Sequence, residues 1–218
     1  AIRKHRITHL SVVSSQLRTL IDDWRTSGAM TSLKAVLAGG SHIPRALVTD
    51  ALTLGMPLHL SYGSTEMGSQ ITTTPADASP QQMETSGKRL RYRDLKISPD
   101  GEILVRGETL CAGYWRDGTI QPCTDADGWF HSGDSGQLDD DGYLTVRGRR
   151  DAMFISGGEN IYPEEIENAL LSLPQITQAA VVPVPNVNYG ERPVAFIKCA
   201  TDTTQTQILD ALAKQLPR

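Results

Sequence analysis

Six consecutive residues, Ser61-Tyr62-Gly63-Ser64-Thr65-Glu66, combine an aromatic ring, a glycine, hydroxyls and a carboxylate. A ring of this kind can stack on a flat base. Thr65 can donate to a phosphate oxygen beside Gly63 and Ser64. Glu66 can hold magnesium, a hard ion that prefers oxygen ligands and needs only one or two carboxylates. Gly39-Gly40-Ser41 can bring bare backbone against the other face of the same base. Asp134, in His131-Ser132-Gly133-Asp134, can accept from sugar hydroxyls. Such a charge-assisted bond is worth about 1.5–3 kcal/mol. Arg149, in Gly148-Arg149-Arg150-Asp151, presents a planar fork suited to phosphate. Each residue has a simpler reading: Asp134 as the closer of an Asx-turn, Tyr62 as a core aromatic, Arg149 as a surface side chain. Their joint order along the chain favours a nucleotide site over chance.

Those groups need a scaffold, and hydrophobic periodicity supplies one. Leu17, Leu20, Ile21 and Trp24 recur at helical spacing over Val13–Trp24, and Ser27-Gly28 supplies a stop. A strand is expected at Leu33–Ala38, a helix opening at Pro44, and a strand from Pro57. This βαβ order predicts a parallel sheet carrying both glycine-rich turns on one edge, where α/β folds collect ligands. After Pro75 the pattern becomes short strands and turns. Arg93–Ile97 and Glu102–Arg106 flank Pro99-Asp100-Gly101, and a second hairpin runs through Asp139-Asp140-Asp141-Gly142 to Tyr143–Val146. The acidic run lacks the spacing of a calcium loop.

From Arg149 a small α/β unit is expected, with a hairpin around Phe154–Gly158 and helices at Pro163–Leu173 and Thr206–Leu216. Its strands are expected at Ala179–Val184 and Val194–Cys199. The fold class is therefore α/β: a βαβ layer with a β-hairpin region, then a smaller α+β domain. The predicted boundary separates residues 1–149 from 150–218.

The chain has 218 residues, 39% hydrophobic and 21% charged, as in a globular protein rather than a disordered one. A net charge of −4 gives no electrostatic footprint for nucleic acid, and no apolar run approaches a membrane span. Cys111, Cys123 and Cys199 are odd in number, far apart and without metal-ligand spacing, which predicts reduced thiols in a cytoplasmic protein. A homo-oligomer is compatible with the sequence, which does not read out an assembly. The N-terminus has no initiator Met or leader pattern, and Leu216-Pro217-Arg218 follows an amphipathic helix with no closing element. Both ends predict a piece of a longer protein.

Five segments together carry a family resemblance. They are Tyr62-Gly63-Ser64-Thr65-Glu66; Gly101-Glu102-Ile103 with Gly113-Tyr114-Trp115; Gly128-Trp129-Phe130-His131-Ser132-Gly133-Asp134; Gly148-Arg149-Arg150-Asp151; and Ser156-Gly157-Gly158-Glu159-Asn160-Ile161 with Glu164-Glu165-Ile166-Glu167. In this order they resemble the adenylate-forming superfamily of acyl-CoA synthetases, peptide synthetase adenylation domains and luciferases. Gly68-Ser69-Gln70-Ile71-Thr72-Thr73 is similar to the o-succinylbenzoate-CoA ligases of menaquinone biosynthesis.

The resemblance implies ATP, magnesium and coenzyme A. A carboxylic acid would attack the α-phosphate to give an acyl-adenylate, and the CoA thiol would then displace AMP. It implies Glu66 as magnesium ligand, Thr65 and Arg149 as phosphate contacts and Asp134 as ribose acceptor. It also implies Asp151 as the hinge of a mobile small domain, with Ser156-Gly157-Gly158 beside the pantetheine arm. A tight hairpin alone would want the same glycines. Ser69 and Gln70 are candidates for the acid pocket, or else cap and turn residues. The family's Ser/Thr/Gly-rich phosphate loop and its C-terminal lysine have no match, since Lys198 and Lys214 lie in other contexts. Losing one preorganised donor costs on the order of 10²–10³ in rate, so the 218-residue chain alone is expected to be inactive in adenylation. A carrier-protein thiol acceptor and a non-catalytic nucleotide-binding module are the alternative readings.

Overall fold

The computed structural model describes residues 1–216; the Pro217-Arg218 end of the sequence reading lies outside the described residues. The chain forms two compact units. One holds Ala1–Ile43 and Leu47–Val146, the other Pro44–Ala46 and the chain from Arg147.

The first unit opens with α1 (Ile2–His5), β1 (His9–Val12), α2 (Ser14–Ser27), β2 (Ala35–Ala38), α3 (Arg45–Thr53) and β3 (Leu58–Ser64). Helix α2 begins where the Val13 N–H donates to Gln16 Oε1 at 3.1 Å and ends at Gly28, whose φ of 77° favours glycine. Its buried face is Leu17, Leu20, Ile21 and Trp24, the residues whose spacing predicted the helix. Strands β1, β2 and β3 pair in parallel, Leu10 against Val36 and Val36 against Leu58. Val36, Ala38, Leu47, Ala51 and Leu58 join the α2 face in one apolar cluster. The side chains that fix the parallel layer are thus the ones that bury the helices against it.

The parallel β1-β2-β3 layer is the one the βαβ order predicts, and the same sheet continues in antiparallel strands. Strands β4 (Ser69–Thr73) and β5 (Lys88–Arg89) add antiparallel edges, giving the order β1-β2-β3-β4-β5. The four-residue turn at 65–68 is too short for the crossover that another parallel strand would require.

Antiparallel structure continues with β6 (Arg93–Ile97), β7 (Glu102–Gly107), β8 (Tyr114–Arg116), β9 (Thr119–Gln121), β10 (Phe130–Leu138) and β11 (Leu144–Arg149). The second sheet has the order β11-β10-β7-β6, while β8 and β9 form a separate ribbon. Inward positions of the second sheet, Ile103, Val105, Phe130 and Leu144, cluster with Met67 and Ile71 from the β3–β4 hairpin. That shared cluster ties the polar hairpin to the sheet that carries Asp134.

In the second unit, β12 (Phe154–Ser156), β13 (Glu159–Ile161), β14 (Ile176–Asn186) and β15 (Gly190–Cys199) form a sheet of order β13-β12-β15-β14. It carries α4 (Pro163–Leu171) and α5 (Gln205–Leu212). Strands β14 and β15 run longer than their periodicity predicts, pairing from Ile176–Cys199 to Asn186–Gly190. Pro183 lies within the expected strand and Pro185 just beyond it, and both sit on the edge strand, where a missing N–H is tolerated. Helix α4 starts with Pro163 in its first turn and Glu164 and Glu165 against the positive end of its dipole. Helix α5 starts on a reciprocal cap between Thr204 and Gln207. Both helices end a few residues earlier than their apolar spacing suggests, their last residues closing in turns. Leu170, Leu173, Ile176, Val181 and Ile208 form this unit's core. Among the described residues no helix is long and apolar enough to cross a membrane.

Candidate functional site

The polar hexapeptide straddles a strand and a turn. Ser61 to Ser64 lie in β3, whereas Thr65 and Glu66 open the turn to β4. The Gly68 N–H donates to the Thr65 carbonyl at 3.0 Å, and the Met67 N–H to Ser64 Oγ at 3.3 Å, so Met67 is fully buried while Thr65 stays exposed. Gly63 is required sterically: a Cβ there would strike the Ser69 carbonyl of the paired strand. Gly39, just after β2, is crowded by a side chain instead, since its Cβ would meet Ser61 Oγ. Gly40 takes a left-handed φ of 75°, and Ser41 follows it in the same bend. The two glycine-rich stretches therefore meet at the carboxyl ends of neighbouring strands β2 and β3. Ser69 and Gln70 begin β4, and Gln70 Nε2 donates to Thr73 Oγ1 at 2.7 Å.

Asp134 sits inside the long strand β10, where the register against β7 breaks between His131 and Ser135 and Gly133 adopts φ 72°. A bulge of this kind re-aims a side chain. The Tyr62 hydroxyl donates to Asp134 Oδ2 at 2.7 Å, joining two residues 72 positions apart.

Glu102 holds the bulge. Its Oε1 accepts from the Gly133 N–H at 2.9 Å and its Oε2 meets His131 Nδ1 at 2.9 Å. Ser132 Oγ donates to the Ile103 carbonyl at 2.7 Å and accepts from the Asp134 N–H at 3.1 Å. The other nitrogen of His131 lies 3.2 Å from Asp125 Oδ2. Hydrogen bonding to Glu102 raises the His131 pKa, with Asp125 adding to the effect and burial opposing it.

Glu66 has a partner that its motif does not announce. The Tyr114 hydroxyl donates to Glu66 Oε1 at 2.7 Å, and the Cys111 N–H donates to the Glu66 carbonyl at 2.7 Å. The carboxylate acceptor pushes the Tyr114 phenol up to about 12. Half-buried, on a turn beside an exposed hydroxyl, Glu66 has the hard oxygen chemistry that suits magnesium.

In the second unit, Arg149 forms a two-point pair with Asp151, Nε to Oδ1 at 3.1 Å and Nη2 to Oδ2 at 3.2 Å. That bond holds the Asp151 carboxyl below its usual range. Gly148, with φ 150°, leaves room for the Glu164 carboxylate, which a Cβ would approach to 2.5 Å. Ser156 is buried at the end of β12, and Gly157 and Gly158 form the two-residue turn to β13 with φ of 61° and 93°. Two consecutive positive φ values demand glycine whatever else the turn does.

Residues 1–115 match the model of a family described as AMP-binding enzyme, and residues 165–218 match its C-terminal domain. The chain belongs to the AMP-binding enzyme family. A 2-succinylbenzoate–CoA ligase of Bacillus cereus strain Q1 is 35% identical over all of this chain and 47% of its own length. The o-succinylbenzoate CoA synthetase of Bacillus subtilis, in complex with its acyl-adenylate intermediate, superposes with a TM-score of 0.89 at 32% identity, over all of this chain and 46% of the other. An amide bond synthetase of Marinactinospora thermotolerans gives 0.88 at 27%, over 99% of this chain and 47% of the other.

The chain thus spans about half the length of the AMP-binding enzymes it matches. The adenylate-forming resemblance and the α/β class are correct. Tyr114 and Glu102 had been visible only as letters in quoted motifs, since no spacing rule pairs a tyrosine with a carboxylate 48 residues earlier.

Proposed function

We propose that the protein carrying this chain is an AMP-forming acid–CoA ligase that activates 2-succinylbenzoate with ATP and passes the acyl group to coenzyme A, a step of menaquinone biosynthesis. The hydrogen bond between Tyr62 and Asp134 carries this reading, because it joins a base-stacking ring and a ribose-binding carboxylate at one point of the first unit. The 35% identity to a 2-succinylbenzoate–CoA ligase over the whole chain supports the choice of acid.

In this reading Gly39, Gly40 and Ser41 lie along one face of the adenine and Tyr62 along the other. Asp134 accepts from the ribose hydroxyls. Thr65, with Gly63 and Ser64, meets the phosphates, and Arg149 adds a second phosphate contact. Glu66 and the neighbouring hydroxyls would hold magnesium, which supplies neutralisation of phosphate charge. Ser69 and Gln70 line the acid pocket. Residues 150–218 form a small lobe that turns about Asp151 between the two half-reactions. The side-chain-free turn at Gly157-Gly158, next to Ser156, then leaves room for pantetheine.

The test is a panel of aromatic and aliphatic carboxylic acids offered to the protein with ATP, magnesium and CoA, scoring AMP and thioester. The expected result is AMP and thioester with 2-succinylbenzoate above the other acids, and a loss of about tenfold to a hundredfold in nucleotide affinity on Asp134→Ala. Turnover with an amine in place of CoA would move the assignment toward the amide bond synthetase. An unchanged ATP affinity in the Asp134→Ala variant would overturn the nucleotide site itself.

A further inference from the structure

Cys111 and Cys123, which twelve residues separate in sequence, meet in the fold with their Sγ atoms 3.7 Å apart. Both are half-buried, whereas Cys199 is exposed. The pair closes the base of the β8–β9 ribbon. The Cys123 thiol also points toward the Cys111 carbonyl at 3.7 Å, and Gly113, between Cys111 and Tyr114, packs so tightly on the Gln121 carbonyl that no Cβ fits. The same loop is anchored to Glu66 at two points, through the Cys111 N–H and the Tyr114 hydroxyl.

We infer that Cys111 and Cys123 are a built dithiol site that a low-molecular-weight disulfide converts to a reversible intramolecular disulfide, closing the ribbon into a covalent ring beside Glu66. The inference stands on the thiol geometry alone and does not rest on the ligase reading.

A disulfide needs about 2.05 Å between sulfurs, so two Sγ atoms already 3.7 Å apart have little further to travel. The chemistry is two successive exchanges. One cysteine thiolate attacks a sulfur of the oxidant R–S–S–R, forming a mixed disulfide and releasing RS⁻. The second cysteine gives its proton to solvent and attacks the first Sγ, releasing a second RS⁻. Two thiols lose two electrons and two protons, and one R–S–S–R becomes two R–SH. Burial, with the Cys111 thiol beside it, pushes the Cys123 thiol up.

Trypsin reads the outcome, because Arg116 is the single basic residue between the two cysteines and it lies exposed in β8. The 218-residue chain is incubated with oxidised glutathione, alkylated and digested. The expected product is a linked pair of peptides, 107–116 and 117–147, absent after dithiothreitol, with the intact mass lowered by two hydrogens apart from any glutathione carried by Cys199. Cys111→Ser and Cys123→Ser, which keep a small polar side chain, are each expected to leave a stable glutathione adduct on the remaining cysteine and no link. Glutathione retained singly at Cys111 or Cys123 in the unsubstituted chain, or links formed only to Cys199, would overturn the inference.

Discussion

Glu66, proposed above to hold magnesium, accepts a hydrogen bond from the Tyr114 hydroxyl on Oε1 at 2.7 Å, a contact that fixes the orientation of its carboxylate. The contact has a signature independent of catalysis. A phenol donating to a carboxylate resists ionisation, because its anion would face a second negative charge and lose the hydrogen bond. Tyr114 is therefore expected to titrate near 12, and Glu66→Gln to return it toward the ordinary value of about 10. Spectrophotometric titration of the variant against the parent chain resolves one of the six tyrosines moving. A curve unchanged by Glu66→Gln would remove the contact.

His131 offers a second test at this scale. Its folded pKa is raised above the ordinary 6.5 by Glu102 first and Asp125 next, the two carboxylates that face its ring. A raised histidine contributes stability that is complete below the unfolded pKa and is lost as pH rises through the folded one. The urea midpoint of the parent chain is expected to fall as pH rises above the ordinary histidine value of about 6.5, and His131→Asn to flatten that fall. The ring is half exposed, so the effect is modest.

At the scale of elements, one loop design is used twice. In Asp125-Ala126-Asp127-Gly128-Trp129, Asp125 Oδ1 accepts from the Asp127 and Trp129 N–H groups at 3.0 and 2.8 Å. In Asp139-Asp140-Asp141-Gly142-Tyr143, Asp139 Oδ1 accepts from Asp141 and Tyr143 at the same two distances. Gly128 and Gly142 take φ of 79° and 81° at equivalent positions, and the closing aromatics are buried. Lys96 and Arg106 lie over the Trp129 ring at 4.2 and 4.3 Å, and Lys88 over Tyr143 at 4.5 Å. The acidic run thus has a structural use in Asp139, as an acceptor for backbone amides. Asp139→Ala is expected to cost about 1–2 kcal/mol in chemical denaturation and Asp139→Asn much less, because the amide oxygen still accepts. A larger loss in the Asn variant than in the Ala variant would contradict this account.

The same loops show what a sequence reveals. The hairpins were legible because Pro99-Asp100-Gly101 and Asp141-Gly142 encode turns locally, and α2 because its buried stripe repeats at helical spacing. The β8–β9 ribbon was not, since Trp115 and Ile120 are 70% and 55% exposed and leave no alternation to detect. Tyr62, Glu66 and Asp134 were recognisable by type. Their partners depend on which strands lie side by side, and Glu102 meets Gly133 only because β7 pairs with β10.

For the whole molecule, the division into two units after Val146 has an energetic consequence. The unit from Arg147 on has its own apolar cluster, built from Leu170, Leu173, Ile176, Val181 and Ile208. The clusters of the first unit are drawn from its own helices and sheets. Leu170 is 1% exposed at the centre of the small core, so Leu170→Ala leaves a cavity worth about 2–5 kcal/mol. That loss is a large share of the roughly 5–15 kcal/mol that stabilises a typical domain, and the small unit should then unfold by itself. All three tryptophans, Trp24, Trp115 and Trp129, belong to the first unit, so their fluorescence reports on it alone, whereas far-ultraviolet circular dichroism sees both. In a urea titration of Leu170→Ala, the dichroism signal is expected to lose its small-unit share at a lower midpoint while the tryptophan transition stays where the parent chain has it. Coincident movement of both signals would mean that the two units fold as one cooperative block.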